Sequence, residues 1–194
     1  MVFRNQVENP VKTPELRTML WFACVGMLLT GCDLGNRILE RLPQQPSPSP
    51  QVQPSPTAAQ SATTAAMENQ VRQRINEIRQ QQGLVALRKN EKLAEVARNY
   101  SRRMAEQKFF AHVSPQGDAL SDRVKAAQIF YFVIGENLFT STNIFQPVPV
   151  AVRSWMNSKG HRENILRSEF RETGVGVWRT GNTYYFTQLF MRSL

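Results

Sequence analysis

The sequence predicts an α+β domain that runs from about residue 66 to residue 194. Apolar residues recur at helical spacing where this segment begins, at Met67, Val71 and Ile75. The C-terminal stretch is instead rich in β-branched and aromatic residues on both sides of a Thr180-Gly181-Asn182 turn signal. Helices followed by an antiparallel hairpin indicate layers of helices and sheet around one core.

Two long helices open the domain. The first continues its apolar face to Ile78 and ends before Gly83, a residue type that favours the left-handed position after a helix. The second begins after Asn90, a common capping residue, and its apolar stripe runs to about Gln107. Both helices therefore present one face to a core.

Shorter elements follow. Helical stretches are predicted over residues 120–127 and 148–156, the second entered through Pro147. Two β-rich runs, residues 174–178 and 183–190, flank the turn signal and form a C-terminal hairpin. The resulting expectation is a set of helices packed on an antiparallel sheet.

The N-terminus has the features of an export signal. Three basic residues precede Met19–Leu29, an apolar run of 11 residues that is shorter than the roughly 20 residues needed to cross a bilayer. The run ends in Leu29-Thr30-Gly31-Cys32, which resembles the bacterial lipobox. That resemblance implies that residues 1–31 are a lipoprotein signal peptide and that Cys32 becomes the lipid-modified N-terminus.

Residues 32–65 are predicted to be the lipidated N-terminus and a flexible linker. From residue 43 the composition is Pro, Ser, Gln, Thr and Ala without charge, which cannot bury enough apolar surface to offset chain entropy. The two cysteines, Cys24 and Cys32, fall in the signal and at the lipidation site. The domain at 66–194 is therefore expected to fold without disulfides.

The charge balance favours anionic partners. Removing the leader takes away three of the 24 basic and two of the 15 acidic residues and leaves a formal charge of +8. The basic residues are scattered among acidic ones with no basic run or stacking motif, so the sequence does not indicate nucleic-acid binding. Attraction to lipid headgroups or anionic envelope polymers fits the export signal better.

Three motifs in the C-terminal half contain the candidate site. They are residues 109–115 around His112, the tripeptide Gly135-Glu136-Asn137, and residues 160–166 around His161. These motifs hold both histidines of the chain, and His is the side chain whose charge and ligand capacity are tunable near neutral pH. One polar site is therefore predicted.

The ordered series of motifs resembles the CAP superfamily, also called SCP-like, which includes cysteine-rich secretory and plant pathogenesis-related proteins. The chain is similar to the bacterial, cysteine-free branch of that group, over about residues 67–190. The resemblance implies an α-β-α sandwich with a cleft lined by His112 and Glu136. The motifs that carry it are His112-Val113-Ser114-Pro115, Gly135-Glu136-Asn137, Trp155-Met156-Asn157-Ser158, Gly160 to Leu166, Thr173-Gly174-Val175-Gly176 and Tyr185-Phe186-Thr187-Gln188.

The chain departs from the eukaryotic members at two positions of this cleft. A Glu and a His complete the cleft tetrad in those proteins, and Ser158 and Tyr185 stand at the corresponding positions here. Only half of the tetrad is therefore retained. The wider binding cleft is expected to include Asn137, His161, Asn164, Tyr185 and Gln188.

Three interpretations of the site stay open. His112, Glu136 and His161 form a two-histidine, one-carboxylate set that suits a divalent metal such as zinc with an open position for water. His112 and Glu136 alone suit proton transfer in a hydrolytic reaction. Alternatively, these residues and Asn137 form a buried hydrogen-bond network that ties the layers together.

The aromatic clusters at residues 109–110 and 130–132 are predicted to belong to the core, with an exposed lipid-binding surface as the alternative. Taken together, the sequence predicts an extracytoplasmic, membrane-anchored lipoprotein of the cell envelope that displays one binding domain. Lipids, peptidoglycan fragments and envelope proteins are the expected partner classes. The alternative is a metal-assisted, peptidase-like hydrolase that uses the His112 and Glu136 cleft.

Overall fold

A computed structural model describes residues 59–194, so the predicted signal peptide, Cys32 and most of the predicted linker lie outside the described residues. Five helices and four strands form in this part of the chain. Their order is α1 (Ala62–Gln81), β1 (Arg88–Lys89), α2 (Glu91–Glu106), α3 (Leu120–Ala126), β2 (Tyr131–Thr142), α4 (Pro147–Asn157), α5 (Lys159–Leu166), β3 (Glu172–Thr180) and β4 (Thr183–Ser193).

One four-stranded sheet, in the order β1-β3-β4-β2, separates two layers of helices. On one face, Ile75 of α1 and Trp155 of α4 pack with Phe186 of β4 in a buried cluster. On the other face, Leu93 of α2 packs with Leu189 of β4 in a second cluster that also includes α3. Because side chains alternate along a strand, β4 contributes to both clusters. The predicted α+β class and α-β-α sandwich are confirmed.

The helix α1 begins earlier than the predicted domain boundary. Thr64 donates its backbone N–H to Ser61 Oγ at 3.2 Å, and Ser61 donates its own N–H to Thr64 Oγ1 at 2.9 Å. This reciprocal pair satisfies the free amides at the start of a helix. The predicted boundary between residues 65 and 66 falls inside this helix, and its Ser-x-x-Thr capping signal lies in the segment predicted to be linker.

Close packing of α2 on β3 explains the Thr173-Gly174-Val175-Gly176 motif. A Cβ added at Gly176 would lie 2.1 Å from the Arg98 backbone nitrogen, and one at Gly174 would lie 2.3 Å from that of Ala94. Any side chain at these two positions would push the helix away from the sheet. The N-terminus of α2 is fixed by Asn90, whose Oδ1 accepts the Leu93 N–H at 3.0 Å, as the sequence predicted.

The sheet is mixed rather than wholly antiparallel. The strands β3 and β4 form the predicted hairpin, and β2 runs antiparallel to β4 from the Tyr131–Ser193 pair to the Thr142–Thr183 pair. The short strand β1 pairs in parallel with β3 and corrects the antiparallel prediction. The strand β2, which carries the Gly135-Glu136-Asn137 motif at the sheet edge, was not predicted as a strand.

A buried ion pair links the two helical layers at β3. Arg98 of α2 lies 2.9 Å from Glu68 of α1, measured between Nη2 and Oε2, and both side chains are less than a tenth exposed. Glu68 Oε1 also accepts the Val177 backbone N–H at 3.2 Å. Since a buried charge needs a partner, these contacts hold α1, α2 and β3 in one arrangement.

The aromatic predictions divide. Phe109 and Tyr131 are partly buried and pack against the core clusters. Phe130, Phe132 and Phe110 are 73%, 68% and 47% exposed, so the prediction that these residues belong to the core was wrong. Phe130 and Phe132 lie at the irregular start of the edge strand β2. No helix in the described part of the chain is both long and apolar enough to cross a bilayer.

Candidate functional site

The candidate site lies at the middle of the edge strand β2. Successive residues of a strand point to opposite faces, so Glu136 and Asn137 project toward different helical layers. Glu136 faces α3, where Arg123 contacts it, whereas Asn137 faces α5, where it donates Nδ2–H to the His161 carbonyl at 3.1 Å. The Glu-Asn pair therefore links both layers at one edge of the sheet.

Glu136 is hydrogen-bonded through both carboxylate oxygens. Its Oε2 lies 2.6 Å from Arg123 Nη2, and its Oε1 lies 2.8 Å from His112 Nδ1. The carboxylate side chain is only 4% exposed. Arg123 also donates Nη1–H to the His112 carbonyl at 3.1 Å. The guanidinium thus compensates the buried carboxylate and fixes the backbone that carries His112.

Tyr100 of α2 completes this support. The Arg123 guanidinium lies 3.4 Å from the centre of the Tyr100 ring, and the Tyr100 hydroxyl donates to the Ala111 carbonyl at 2.7 Å. Burial raises the pKa of the Tyr100 phenol, so this group stays a neutral donor. Sequence reasoning missed Arg123 and Tyr100 as residues of the site, because each acts here through a partner on another part of the chain.

His112 is the exposed member of the site. Its side chain is 57% exposed even though Nδ1 contacts the buried Glu136 carboxylate. A carboxylate oxygen accepts hydrogen bonds, so Nδ1 is the ring nitrogen that donates in this contact and Nε2 is the one left for a ligand. Glu136 therefore fixes the orientation of the His112 ring.

A second set of contacts positions α5 against the same strand. Asn164 Nδ2 donates to Asn137 Oδ1 at 2.9 Å and lies 3.2 Å from the Glu136 carbonyl, while Trp155 Nε1 donates to the Leu138 carbonyl at 2.9 Å. These side chains satisfy carbonyls of an edge strand that has no further strand beside it. A Cβ at Gly135 would approach Asn164 Oδ1 to 2.9 Å, which accounts for the glycine of the motif.

His161 faces His112. It lies in α5, and its ring centre is 6.4 Å from that of His112 with the planes tilted by 44°. Burial, and next the like charge of His112, lower the pKa of His161. The two histidines of the chain thus share one surface, with His161 half-buried and neutral beside the more exposed His112.

The predicted metal ligands are not arranged as a three-residue site. Among the described residues, no group of three or more His, Cys, Asp or Glu side chains is placed so that it could hold a metal ion. The physical reason is the position of Arg123, since one Glu136 oxygen pairs with its guanidinium and the other with His112. The interpretation of His112, Glu136 and His161 as zinc ligands stays a prediction.

The remaining predicted cleft residues serve other contacts. Asn137 and Gln188 are fully buried, and Gln188 donates Nε2–H to Thr173 Oγ1 at 3.3 Å inside the sheet layer. Tyr185 packs with the buried Tyr100 cluster and pairs across the sheet with Thr140, four residues beyond Glu136. Ser158 lies at the junction of α4 and α5. Asn137 and Gln188 are therefore enclosed by the fold, whereas Tyr185 is only partly buried.

Ser114 next to His112 does not form a catalytic pair with it. The buried Ser114 hydroxyl donates to Asp118, which in turn forms an ion pair with Arg103 at 2.7 Å. The Arg103 guanidinium is the main cause that lowers the pKa of Asp118 to about 2. The serine is thus engaged in fixing the loop, and an activated nucleophile would need its hydroxyl bonded to a base.

The fold and this histidine edge define a class of α-β-α sandwich domains. A model of the family described as "CAP: Cysteine-rich secretory protein family" matches residues 72–190, and the chain belongs to this family. In sequence, the chain is 36% identical over 135 residues to the uncharacterized protein YkwD of Bacillus subtilis (strain 168), covering 70% of this chain and 51% of that protein. The uncharacterized membrane protein YlbC of the same strain is 36% identical over 125 residues, covering 64% and 34%. The chain thus spans about a third to a half of the length of these relatives.

Solved structures agree. An extracellular protein containing an SCP domain from Bacillus anthracis is 28% identical with a TM-score of 0.60, covering 71% of this chain and 45% of that one. A cysteine-rich secretory protein from Staphylococcus aureus is 26% identical with a TM-score of 0.56, covering 68% and 40%. An outer surface protein from Borrelia burgdorferi, at 22% identity and a TM-score of 0.61, covers 68% and 96% and shares the fold.

Proposed function

We propose that the chain is an extracytoplasmic lipoprotein of the bacterial envelope, anchored at Cys32, whose CAP domain binds a ligand through the histidine edge, the surface formed by His112 and His161. Similarity to a protein described as extracellular and to one described as a membrane protein supports this cellular location. The signal-like run at Met19–Leu29 and the lipobox-like Leu29-Thr30-Gly31-Cys32 support the anchor.

The binding role rests on one observation: Glu136 and Arg123 hold an exposed imidazole rigidly without an activated nucleophile beside it. His112 Nε2 faces solvent while Nδ1 is fixed by the buried carboxylate. A preorganised donor or acceptor binds a ligand at lower entropic cost than a mobile side chain. The arrangement is therefore better suited to recognising a polar group than to attacking it.

The surroundings indicate the chemistry of the ligand. Phe110 and Val113 flank His112 in the chain and are 47% and 50% exposed. A ligand with hydrogen-bonding groups beside a small apolar part would contact both kinds of surface. Peptidoglycan fragments have this composition, with amide and carboxylate groups beside alanyl methyl groups, and they are abundant in the envelope where the proposed anchor would place the domain.

The binding proposal is tested by calorimetry with soluble muropeptides as the probe. The full chain, purified in detergent, is titrated beside the variants His112→Ala and Lys125→Ala. We expect measurable binding that falls at least about tenfold in the first variant, because a lost hydrogen bond to a fixed imidazole costs about 1 to 2 kcal/mol. The exposed Lys125 of α3 is the matched control. Equal affinity in all three proteins, or no heat in any of them, would remove muropeptides as the ligand of this edge.

The anchor is tested separately by metabolic labelling with a palmitate analogue in a bacterial host. Label and the mass of a diacylglyceryl group are expected on the wild type and on Cys24→Ala, and absent from Cys32→Ala. Cys24 is the matched control because it lies within the predicted signal. Label that persists in Cys32→Ala would contradict the assignment of the lipid to this residue.

A second candidate function is hydrolysis without a nucleophilic side chain. The 2.8 Å contact between His112 Nδ1 and Glu136 Oε1 favours it, since a carboxylate-held imidazole is a competent general base for water. Mass spectrometry of muropeptides after incubation separates the two functions. Cleavage products that require both His112 and Glu136 would favour the hydrolase, whereas binding without product formation would favour the binding module.

A further inference from the structure

The first described residues are hydrogen-bonded to the end of strand β3. Gln60 forms two hydrogen bonds with the backbone of Arg179 in β3, from Arg179 N–H to Gln60 Oε1 at 2.8 Å and from Gln60 Nε2 to the Arg179 carbonyl at 3.0 Å. The side-chain amide thereby imitates a further backbone partner at the end of the strand. The first described residues therefore lie beside the turn between β3 and β4.

Two other segments meet at this end of the sheet. Thr142, the last residue of β2, pairs with Thr183, and Asn143 donates its backbone N–H to the Asn182 carbonyl at 3.0 Å. The loop that follows leads into α4 at Pro147. We call this surface the hairpin end; it comprises residues 59–61, 143–146 and 180–183.

The hairpin end exposes an apolar tip. Phe145 is 95% exposed, and Ile144 beside it is 39% exposed. Asn143 has a positive φ of 59°, a backbone conformation that turns the chain immediately before these two residues. The Phe145 ring is an apolar surface that contacts water in an ordered loop. Insertion into a bilayer interface would bury this surface and would therefore be favourable.

The charges around the tip suit an anionic surface. Segments 59–67, 140–150 and 180–185 contain no Asp, Glu, Lys or Arg. The nearest charged side chains at the neighbouring depressions are Arg179 and Arg74. The helices α1 and α4 also begin here, so the positive ends of their dipoles face the same side. Acidic headgroups would thus meet positive potential, and no carboxylate lines either of these two depressions.

We infer that the hairpin end docks on the membrane that carries the lipid anchor, with Phe145 and Ile144 entering the headgroup region and Arg179 and Arg74 near anionic lipid. The inference rests on the proposed lipidation of Cys32. Residues 33–58 connect that anchor to the hairpin end, and a chain of this length spans at most roughly 90 Å. The linker therefore confines the domain near the bilayer, so the hairpin end meets this surface at a high effective concentration.

Docking in this orientation leaves the histidine edge accessible. Glu136 lies six residues before Thr142 on β2, which at about 3.4 Å per residue is roughly 20 Å from the hairpin end. Phe130 and Phe132 are also exposed, and they lie at the opposite end of that strand. Phe130 therefore provides a matched control for Phe145 on the same molecule.

Single cysteine variants of the full chain test the inference. Phe145→Cys and Phe130→Cys are expressed so that Cys32 is lipidated, labelled with an environment-sensitive fluorophore, and reconstituted in vesicles of phosphatidylethanolamine and phosphatidylglycerol that contain an acyl-chain quencher. Both original side chains are largely exposed, so neither substitution threatens the fold. The mature lipidated chain would carry no other free thiol, because its one remaining native cysteine is the lipidation site.

We expect quenching at position 145 to exceed that at position 130 at least about twofold. A docked segment enters the bilayer by only about 5–10 Å, which reaches the hairpin end but not the opposite end of β2. The difference should shrink in phosphatidylcholine vesicles, which lack anionic lipid. Equal or reversed quenching, with the lipid mass present on Cys32, would overturn the docking surface and leave the anchor intact. A missing lipid mass on Cys32 would overturn the anchor and the docking inference with it.

Discussion

Arg123 and Glu136 form the buried ion pair on which the histidine edge depends. Their side chains are 6% and 4% exposed, and the closest nitrogen and oxygen atoms lie 2.6 Å apart. The pair brings a charge from α3 to the middle of the edge strand β2. Because Glu136 also binds His112 Nδ1, the position of the exposed imidazole follows from this contact.

Replacing Arg123 should therefore destabilise the fold and loosen His112 together. Arg123→Ala leaves the Glu136 carboxylate buried without its cation, a change that typically costs about 3 to 5 kcal/mol of unfolding free energy. Urea unfolding of the full chain measures this loss, with Lys125→Ala on the exposed side of the same helix as the control. A loss below about 1 kcal/mol would mean that water replaces the guanidinium without penalty.

Sequence patterns predicted the helices but only part of the site. The capping residue Asn90 and the apolar stripe of α2 specify that helix locally, so its bounds were found almost to the residue. Arg123 has no comparable local signal, since its partner Glu136 lies on another element and pairs with it only after the layers assemble. The convergence of His112 and His161 across the sheet edge depends on the same assembly.

The lowered pKa of His161 predicts an acid-sensitive contribution to stability. A histidine whose pKa in the folded state lies below its ordinary value of 6.5 binds fewer protons than in the unfolded chain, so stability rises with pH. The contribution is fully present above pH 6.5 and is lost as the pH falls through the folded-state pKa. We expect His161→Gln to flatten this part of the stability profile, by at most about 1.4 kcal/mol per pH unit.

An NMR titration of the His161 ring proton checks the cause. In wild type the midpoint should lie below 6.5, and in His112→Gln it should move upward because the neighbouring charge is gone. The shift should be partial, since burial is the larger cause. A midpoint at or above 6.5 in wild type would show that the ring is more hydrated than its half-buried position implies.

The glycines of β3 and α5 should respond in opposite directions. Gly176→Ala places a Cβ 2.1 Å from the Arg98 backbone nitrogen, so α2 must move off the sheet, and we expect a loss above about 3 kcal/mol or failure to fold. Gly160→Ala in α5 meets no atom within 4 Å and should stabilise the helix by about 0.5 to 1 kcal/mol. Thermal unfolding of both variants measures the contrast, and a tolerated Gly176→Ala would contradict the close packing of α2.

Exposure of single aromatic residues was the property that the sequence predicted least well. A Phe-Tyr-Phe run satisfies the composition of a buried strand, yet Phe130 and Phe132 remain largely exposed at the edge of the sheet. Local composition specifies that a segment is apolar, whereas the strand order β1-β3-β4-β2 decides which strands keep an uncovered side. Phe145 differs in kind, because an ordered turn rather than a sheet edge exposes it.

Arg79 provides the last test, since it is a fully buried arginine of α1 that donates to backbone carbonyls rather than to a carboxylate. Its guanidinium lies 2.7 Å from the Ile165 carbonyl at the end of α5 and 2.9 Å from that of Arg167, with Phe170 and Val85 completing the set. The bonds to Ile165 and Arg167 satisfy carbonyls that α5 leaves free at its C-terminus.

Arg79→Leu should therefore cost about 3 to 5 kcal/mol, because several buried acceptors lose their donors at once. Arg74→Leu, on an exposed position of the same helix, should change the unfolding free energy by less than about 0.5 kcal/mol. Hydrogen exchange of the folded Arg79→Leu protein should show lost protection concentrated in α5, which carries His161 and Asn164. Uniform loss of protection across the sheet would instead indicate that Arg79 stabilises the core as a whole and has no specific role in holding the histidine edge.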